Sequence, residues 1–170
     1  MKKSDHEWII DYAFGSKGIG PHHLSDWDRR TLKRASADVD SIWRGQTRLG
    51  SFRHAMRGWG QPTKEAVGIA ILFVQNRLQY AADLQRGGSH DLALYHLGEG
   101  MHTIADSFST EHEGAQRWCG DFFPQVWCIP SDLKHAVVEN SSNTLDTKKD
   151  AAVALTRYYS AFFEMSGLAP

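Results

Sequence analysis

Cysteine is nearly missing from this 170-residue chain, which has only Cys119 and Cys128. A small fold stapled by a disulfide framework is therefore excluded, and one pair in a loop-like stretch is left to bridge or to stay reduced. An excess of either charge is lacking too: 19 basic and 20 acidic residues leave a formal net charge of -1. That balance excludes a nucleic-acid binder relying on a bulk basic surface, but not a local groove for phosphates. No run approaches the roughly 20 apolar residues of a membrane span, so stable membrane insertion is not expected. Met1 to Asp5 carries two lysines without a following apolar segment and cleavage site, so no Sec signal is read. Alternating strand patterns and internal repeats are also absent.

Helical periodicity is what remains, and it predicts an all-α chain whose length suits a single domain over residues 1–170. Ser4 to Phe14 reads as a first helix, with Trp8, Ile9, Tyr12 and Ala13 as its apolar stripe. Ser25 and Asp28 form a capping-box pattern that opens a second helix through Leu32, Ala35, Val39, Ile42 and Trp43. Five glycine and proline positions from Gly45 to Pro62 predict an irregular crossing. Thr63 is expected to cap a third helix to about Gln85, with Val67, Ile71, Leu72, Val74 and Leu78 facing the core. Ser89 caps a fourth, running to about Phe108, in which Gly98 and Gly100 imply close packing. Ser109 to Pro130 reads as a long loop, then comes a short helix from Ser131 or Asp132. A final helix from Leu145 to Met165 presents Ala151, Ala154, Leu155, Tyr158, Phe162 and Met165 to the core.

The chemistry gathers in ALYHLGEGMHTIADSFSTEHE, residues 93–113. His102 and Asp106 lie four apart and so share one helix face, and His112 follows just past the expected helix end. Two imidazoles and a carboxylate suit zinc, which takes nitrogen and oxygen ligands and leaves a position for water when catalytic. An ordinary polar pair on a helix surface is the plain alternative. A second pair at the same spacing, His135 with Glu139, tilts the balance toward a metal centre.

These residues, His-x3-Asp-x5-His in HTIADSFSTEH followed by His-x3-Glu in HAVVE, resemble the zinc-dependent phospholipase C family. That family shares its fold with single-strand nucleases of the S1/P1 type. The flanking ALYHLGEGMHTIADSFS and the upstream SFRHAM also resemble C-terminal toxin domains of bacterial polymorphic and Rhs-type effectors. The resemblance implies a multi-helix bundle of phospholipase C/P1 nuclease type holding two or three zinc ions. It implies that Asp106 bridges two of them, that His102 binds one, and that His112, His135 and Glu139 hold a separate ion. Asp40 and His54 fit the family's further Asp and His of the first site, with Asp38 as near competitor. His6 fits its first-helix histidine, with His22 and His23 as substitutes. The family's secreted members begin with a tryptophan whose amino group and carbonyl bind metal; here Met1 stands in that place, so the third site is expected to be weak, rebuilt or absent.

The expected activity is hydrolysis of phospholipid head groups by a metal-dependent phosphodiesterase, with Asp106 and Asp40 as the catalytic carboxylates. An antibacterial effector delivered by a specialised secretion system, with a cognate immunity protein as partner, is the biological setting the resemblance implies. Two alternatives stand beside it: a nuclease toxin cutting single-stranded nucleic acid on the same metals, and a non-enzymatic helical domain that binds a partner protein. Arg53 and Arg57 flank His54 and are read either as phosphate contacts or as solvated surface. Trp59, Trp118, Phe122 and Trp127 are read as core before pocket lining, and His90 and His96 as residues outside the metal set.

Overall fold

The computed structural model describes residues 1, 3–40, 48–58, 60–109, 115 and 144–168. Among them the chain is helical, without strands: α1 (Lys3–Phe14), α2 (Asp26–Val39), a 3-10 helix (Arg48–His54), α3 (Thr63–Arg86), α4 (His90–Ser107) and α5 (Leu145–Met165). The all-α expectation holds. Helix α4 touches every other described element and is the axis of the bundle.

Two glycines explain how α4 can be surrounded so closely. A Cβ on Gly98 would lie 2.7 Å from the Leu32 carbonyl oxygen and 2.8 Å from Ala35 Cβ, so only glycine lets α2 approach here. Gly100 leaves room for the Tyr158 hydroxyl of α5, which passes over α4 and donates to the Val74 carbonyl of α3 at 3.0 Å. Burial pushes the Tyr158 hydroxyl pKa up, as expected for a phenol kept neutral in a core. Around this axis Ile9, Ile10, Phe14, Leu32, Leu94, Leu97, Met101, Leu155 and Phe162 form one apolar cluster.

Helix ends follow local chemistry in most places. Ser25 Oγ accepts from the Asp28 amide at 3.1 Å, as the capping pattern requires, and Thr144 Oγ1 accepts from the Thr147 amide at 3.2 Å. Thr63 is not a cap: Pro62 occupies that position, extended and without a side-chain bond, and Thr63 is the first helical residue. Ser89 holds the cap position of α4 but makes no capping bond.

Three elements differ from expectation. Helix α2 ends at Val39 with Asp40 as its cap; Ile42 and Trp43 lie outside the described residues. In α3, Val67, Ile71 and Leu72 are exposed, Val74 and Leu78 are partly buried, and the face turned inward is Ala66, Ala70, Phe73, Ala81 and Ala82. In the crossing, Arg48 to His54 winds into a 3-10 helix closed by Ala55 at φ 53°, with the Met56 amide on the Ser51 carbonyl at 3.1 Å. The expected helix after Pro130, Cys119, Cys128, Trp59, Trp118, Phe122 and Trp127 lie outside the described residues.

Candidate metal centre

Helix α4 buries a stripe through Leu94, Leu97, Gly98, Met101, Ala105 and, on the same side, His102 and Asp106. Both polar residues are sealed from solvent, at 0% and 1% exposure, which is where an unpaired carboxylate is costly. Asp106 meets that cost with partners on both oxygens. Oδ1 lies 3.0 Å from the Met1 amino nitrogen and 3.2 Å from His6 Nε2, while Oδ2 lies 3.1 Å from His54 Nδ1 and 3.0 Å from His102 Nε2.

Each partner is delivered by a different element. His6 sits on the buried face of α1, one turn before Ile9 and Ile10, and its ring stacks on His102 with centroids 4.3 Å apart. Asp5 beside it is tied to Lys148 of α5 at 2.5 Å. His54 ends the 3-10 helix, held down by Thr103 Oγ1, which donates to the Arg53 carbonyl at 2.6 Å. Arg53 itself faces Glu99 at 3.6 Å and lies over the Phe73 ring. Asp40, at the end of α2, places Oδ1 3.6 Å from His102 Nε2 and 3.7 Å from His54 Nδ1.

Electrostatics favour a neutral His102 ring and a reluctant Asp40 carboxylate. Burial lowers the His102 pKa, against the pull of Asp106. Burial raises the Asp40 pKa, assisted by Asp106 and opposed by His102 and His54.

The donor set fits a divalent cation. His54 Nδ1, His102 Nε2 and Asp106 Oδ2 form a triangle with edges of 3.0, 3.1 and 3.1 Å. Zinc bonds of about 2.0–2.2 Å at tetrahedral angles put ligand atoms about 3.3 Å apart. Two ring protons can serve at most two of these three contacts, whereas a cation would serve all three groups at once. His6 Nε2 adds a second sign: it is buried and, among the described residues, finds no hydrogen bond of acceptable geometry despite its closeness to Asp106. Among the described residues, His6 with Asp40 and His102, and His54 with His102 and Asp106, are two overlapping groups of side chains that could hold a metal ion.

The structure thus brings together His6, Asp40, His54, His102 and Asp106; His112, His135 and Glu139 lie outside the described residues. The near competitors are engaged elsewhere. Asp38 accepts from the Tyr95 hydroxyl at 2.7 Å, His22 packs on Tyr159 and Phe163, and His23 Nδ1 meets the Gly15 carbonyl at 2.8 Å. His96 sits with Arg77 and Glu99, and His90 faces Asp28, both away from Asp106. Arg53 is absorbed in its contacts with Glu99 and Phe73, whereas Arg57 is half-buried with Nε lacking a hydrogen bond.

Ser36 was not foreseen, and Met1 was expected only at a weak, rebuilt or absent third site. The Met1 nitrogen lies 3.0 Å from Asp106 Oδ1. Ser36 meets the far nitrogen of His102, and its spacing of four from Asp40 on α2 is the one signal that pointed to it. No family model, no curated protein and no solved structure matches the chain.

Proposed function

We propose that the chain is a zinc-dependent phosphodiesterase of phospholipase C type. The observation that carries this reading is the division of Asp106: one oxygen faces the Met1 amine and His6, the other faces His54 and His102. A carboxylate with separate nitrogen donors on each oxygen is suited to bridging two cations, the arrangement that in-line phosphoryl displacement uses. His6 would hold one ion beside Asp106 Oδ1; His54, His102 and Asp40 would hold the other beside Oδ2.

When bound, zinc supplies a water acidified to about neutral pKa and positive charge for the phosphoryl oxygens. The chain's own residues do the rest. Asp40 keeps 31% of its side chain exposed, far more than its neighbours, which suits it to take a proton from the attacking water. His54 and His102, buried, keep their rings aimed at one point and exclude solvent behind it.

The choice of phospholipid over single-stranded nucleic acid rests on sequence likeness, through Glu139 in HAVVE. Delivery as an effector, neutralised by an immunity protein, belongs to the same likeness. Among the described residues no helix is long and apolar enough to cross a membrane, so attack on lipid would proceed from the water side. Parallel hydrolysis of a phosphocholine ester and of single-stranded DNA by the zinc-loaded protein tests the assignment. Ester cleavage alone supports it, DNA cleavage alone moves the chain to the nuclease alternative, and neither, in a metal-free protein, leaves a partner-binding domain.

A further inference from the structure

His102 is gripped at both ring nitrogens by one face of α2. Ser36 Oγ lies 3.2 Å from Nδ1, and Asp40 Oδ1, one helical turn later, lies 3.6 Å from Nε2. Ser36 is 1% exposed and His102 fully buried, so water does not compete for either partner. The contact exists because of Gly98: one turn before His102, it lets Leu32 and Ala35 press against the α4 backbone, which brings the next residue of α2 within reach of the ring.

We propose that Ser36 is the positioning residue of the metal centre, its hydroxyl reversing the direction of its hydrogen bond with His102 when a cation binds. Without a cation, His102 Nε2 faces the Asp106 carboxylate at 3.0 Å and must carry the ring proton to donate there. Nδ1 is then an acceptor, and the Ser36 hydroxyl donates to it. With a cation, Nε2 would offer its lone pair to the ion, the ring proton would sit on Nδ1, and Nδ1–H would donate a hydrogen bond to Ser36 Oγ. A hydroxyl serves both states because it is donor and acceptor; a carboxylate there would serve only the second, and an alanine neither. The inference rests on the metal reading above and names the residue that supports its shared histidine.

The test is the full chain with zinc as probe, comparing wild type with Ser36→Ala and Ser36→Thr. Affinity is read by chelator competition, and the His102 ring by nitrogen NMR before and after zinc. Ser36→Ala should weaken zinc about 10- to 100-fold, and its His102 Nδ1 resonance should move in the metal-free protein. Ser36→Thr, which keeps the hydroxyl, should recover both. Wild-type affinity in Ser36→Ala, or an Nδ1 resonance indifferent to the hydroxyl, overturns the inference. Wild type that takes up no zinc overturns the metal reading and the reversal with it, an outcome distinct from zinc binding that ignores Ser36.

Discussion

His54 Nδ1 and His102 Nε2 stand 3.1 Å apart, each also within 3.1 Å of Asp106 Oδ2. Two ring protons can serve at most two of these three contacts, whereas a shared cation would serve all three groups at once. Replacing His54 with Ala should therefore weaken zinc binding by more than the about 10- to 100-fold typical of losing a supporting partner. Isothermal titration measures it; a change below tenfold would place His54 outside the ligand set.

The close approach of α2 to α4 should be sensitive to a single methyl group. Gly98→Ala places Cβ 2.7 Å from a backbone oxygen that cannot swing aside. Overpacking of this kind costs about 1–3 kcal/mol, to be read from urea unfolding. Stability within about 0.5 kcal/mol of wild type, the range of surface changes, would contradict the packing described.

Glu99 is the anchor beneath the 3-10 helix. It is 6% exposed and faces Arg77 of α3 at 2.9 Å and Arg53, the neighbour of His54, at 3.6 Å. Both arginines keep 27% of their side chains exposed, so water screens part of the loss when Glu99 becomes Ala. The expected destabilisation is about 1–3 kcal/mol by the same unfolding measurement. A variant as stable as wild type would show that Glu99 ties nothing together.

The helices were legible in the sequence; the inward phase of α3 was not. Its Val67, Ile71 and Leu72 draw the eye as core, yet the buried face is built from Ala66, Ala70, Ala81 and Ala82 around Phe73. Small residues let α3 lie close to α4, and hydrophobicity alone undervalues them. In helix α5 the bounds at Leu145 and Met165 were read directly, and Ala151, Leu155, Tyr158 and Phe162 face the core as read, but Ala154 is only half-buried while Ala152 and Tyr159, not read as core, are buried. For the candidate site, spacing on one helix exposed His102 and Asp106. His6, Asp40 and His54 came through family likeness, since they are gathered from three other elements. Ser36 had no distinguishing chemistry in sequence, and Met1, standing where the family has tryptophan, pointed only to a weak, rebuilt or absent third site.

Acidification tests the burial of His102. Its ordinary pKa of 6.5 is lowered by burial, with Asp106, Asp40, His6, His54 and Ser36 facing the ring. Below pH 6.5 the unfolded chain takes up the proton that the folded chain resists. The contribution to stability is therefore full above 6.5 and is lost as pH falls through the lowered folded value. Asp40, with its raised pKa, carries the opposite sign: the folded chain binds that proton first, and its contribution fades as pH rises from 3.8 through the folded value. In chelator-treated protein the His102 ring should titrate below 6.5 by NMR; a midpoint at or above 6.5 would contradict the account.

The most direct measurement is the zinc content of purified wild type and Asp106→Asn by elemental analysis, joined to phosphocholine ester hydrolysis. Wild type should hold at least two zinc ions. Asp106→Asn should lose at least one and fall by at least about 100-fold in turnover, with helical circular dichroism unchanged. Wild type that neither contains nor titrates zinc, or an Asp106→Asn variant with full metal and normal turnover, would contradict the claim that Asp106 joins two metal sites.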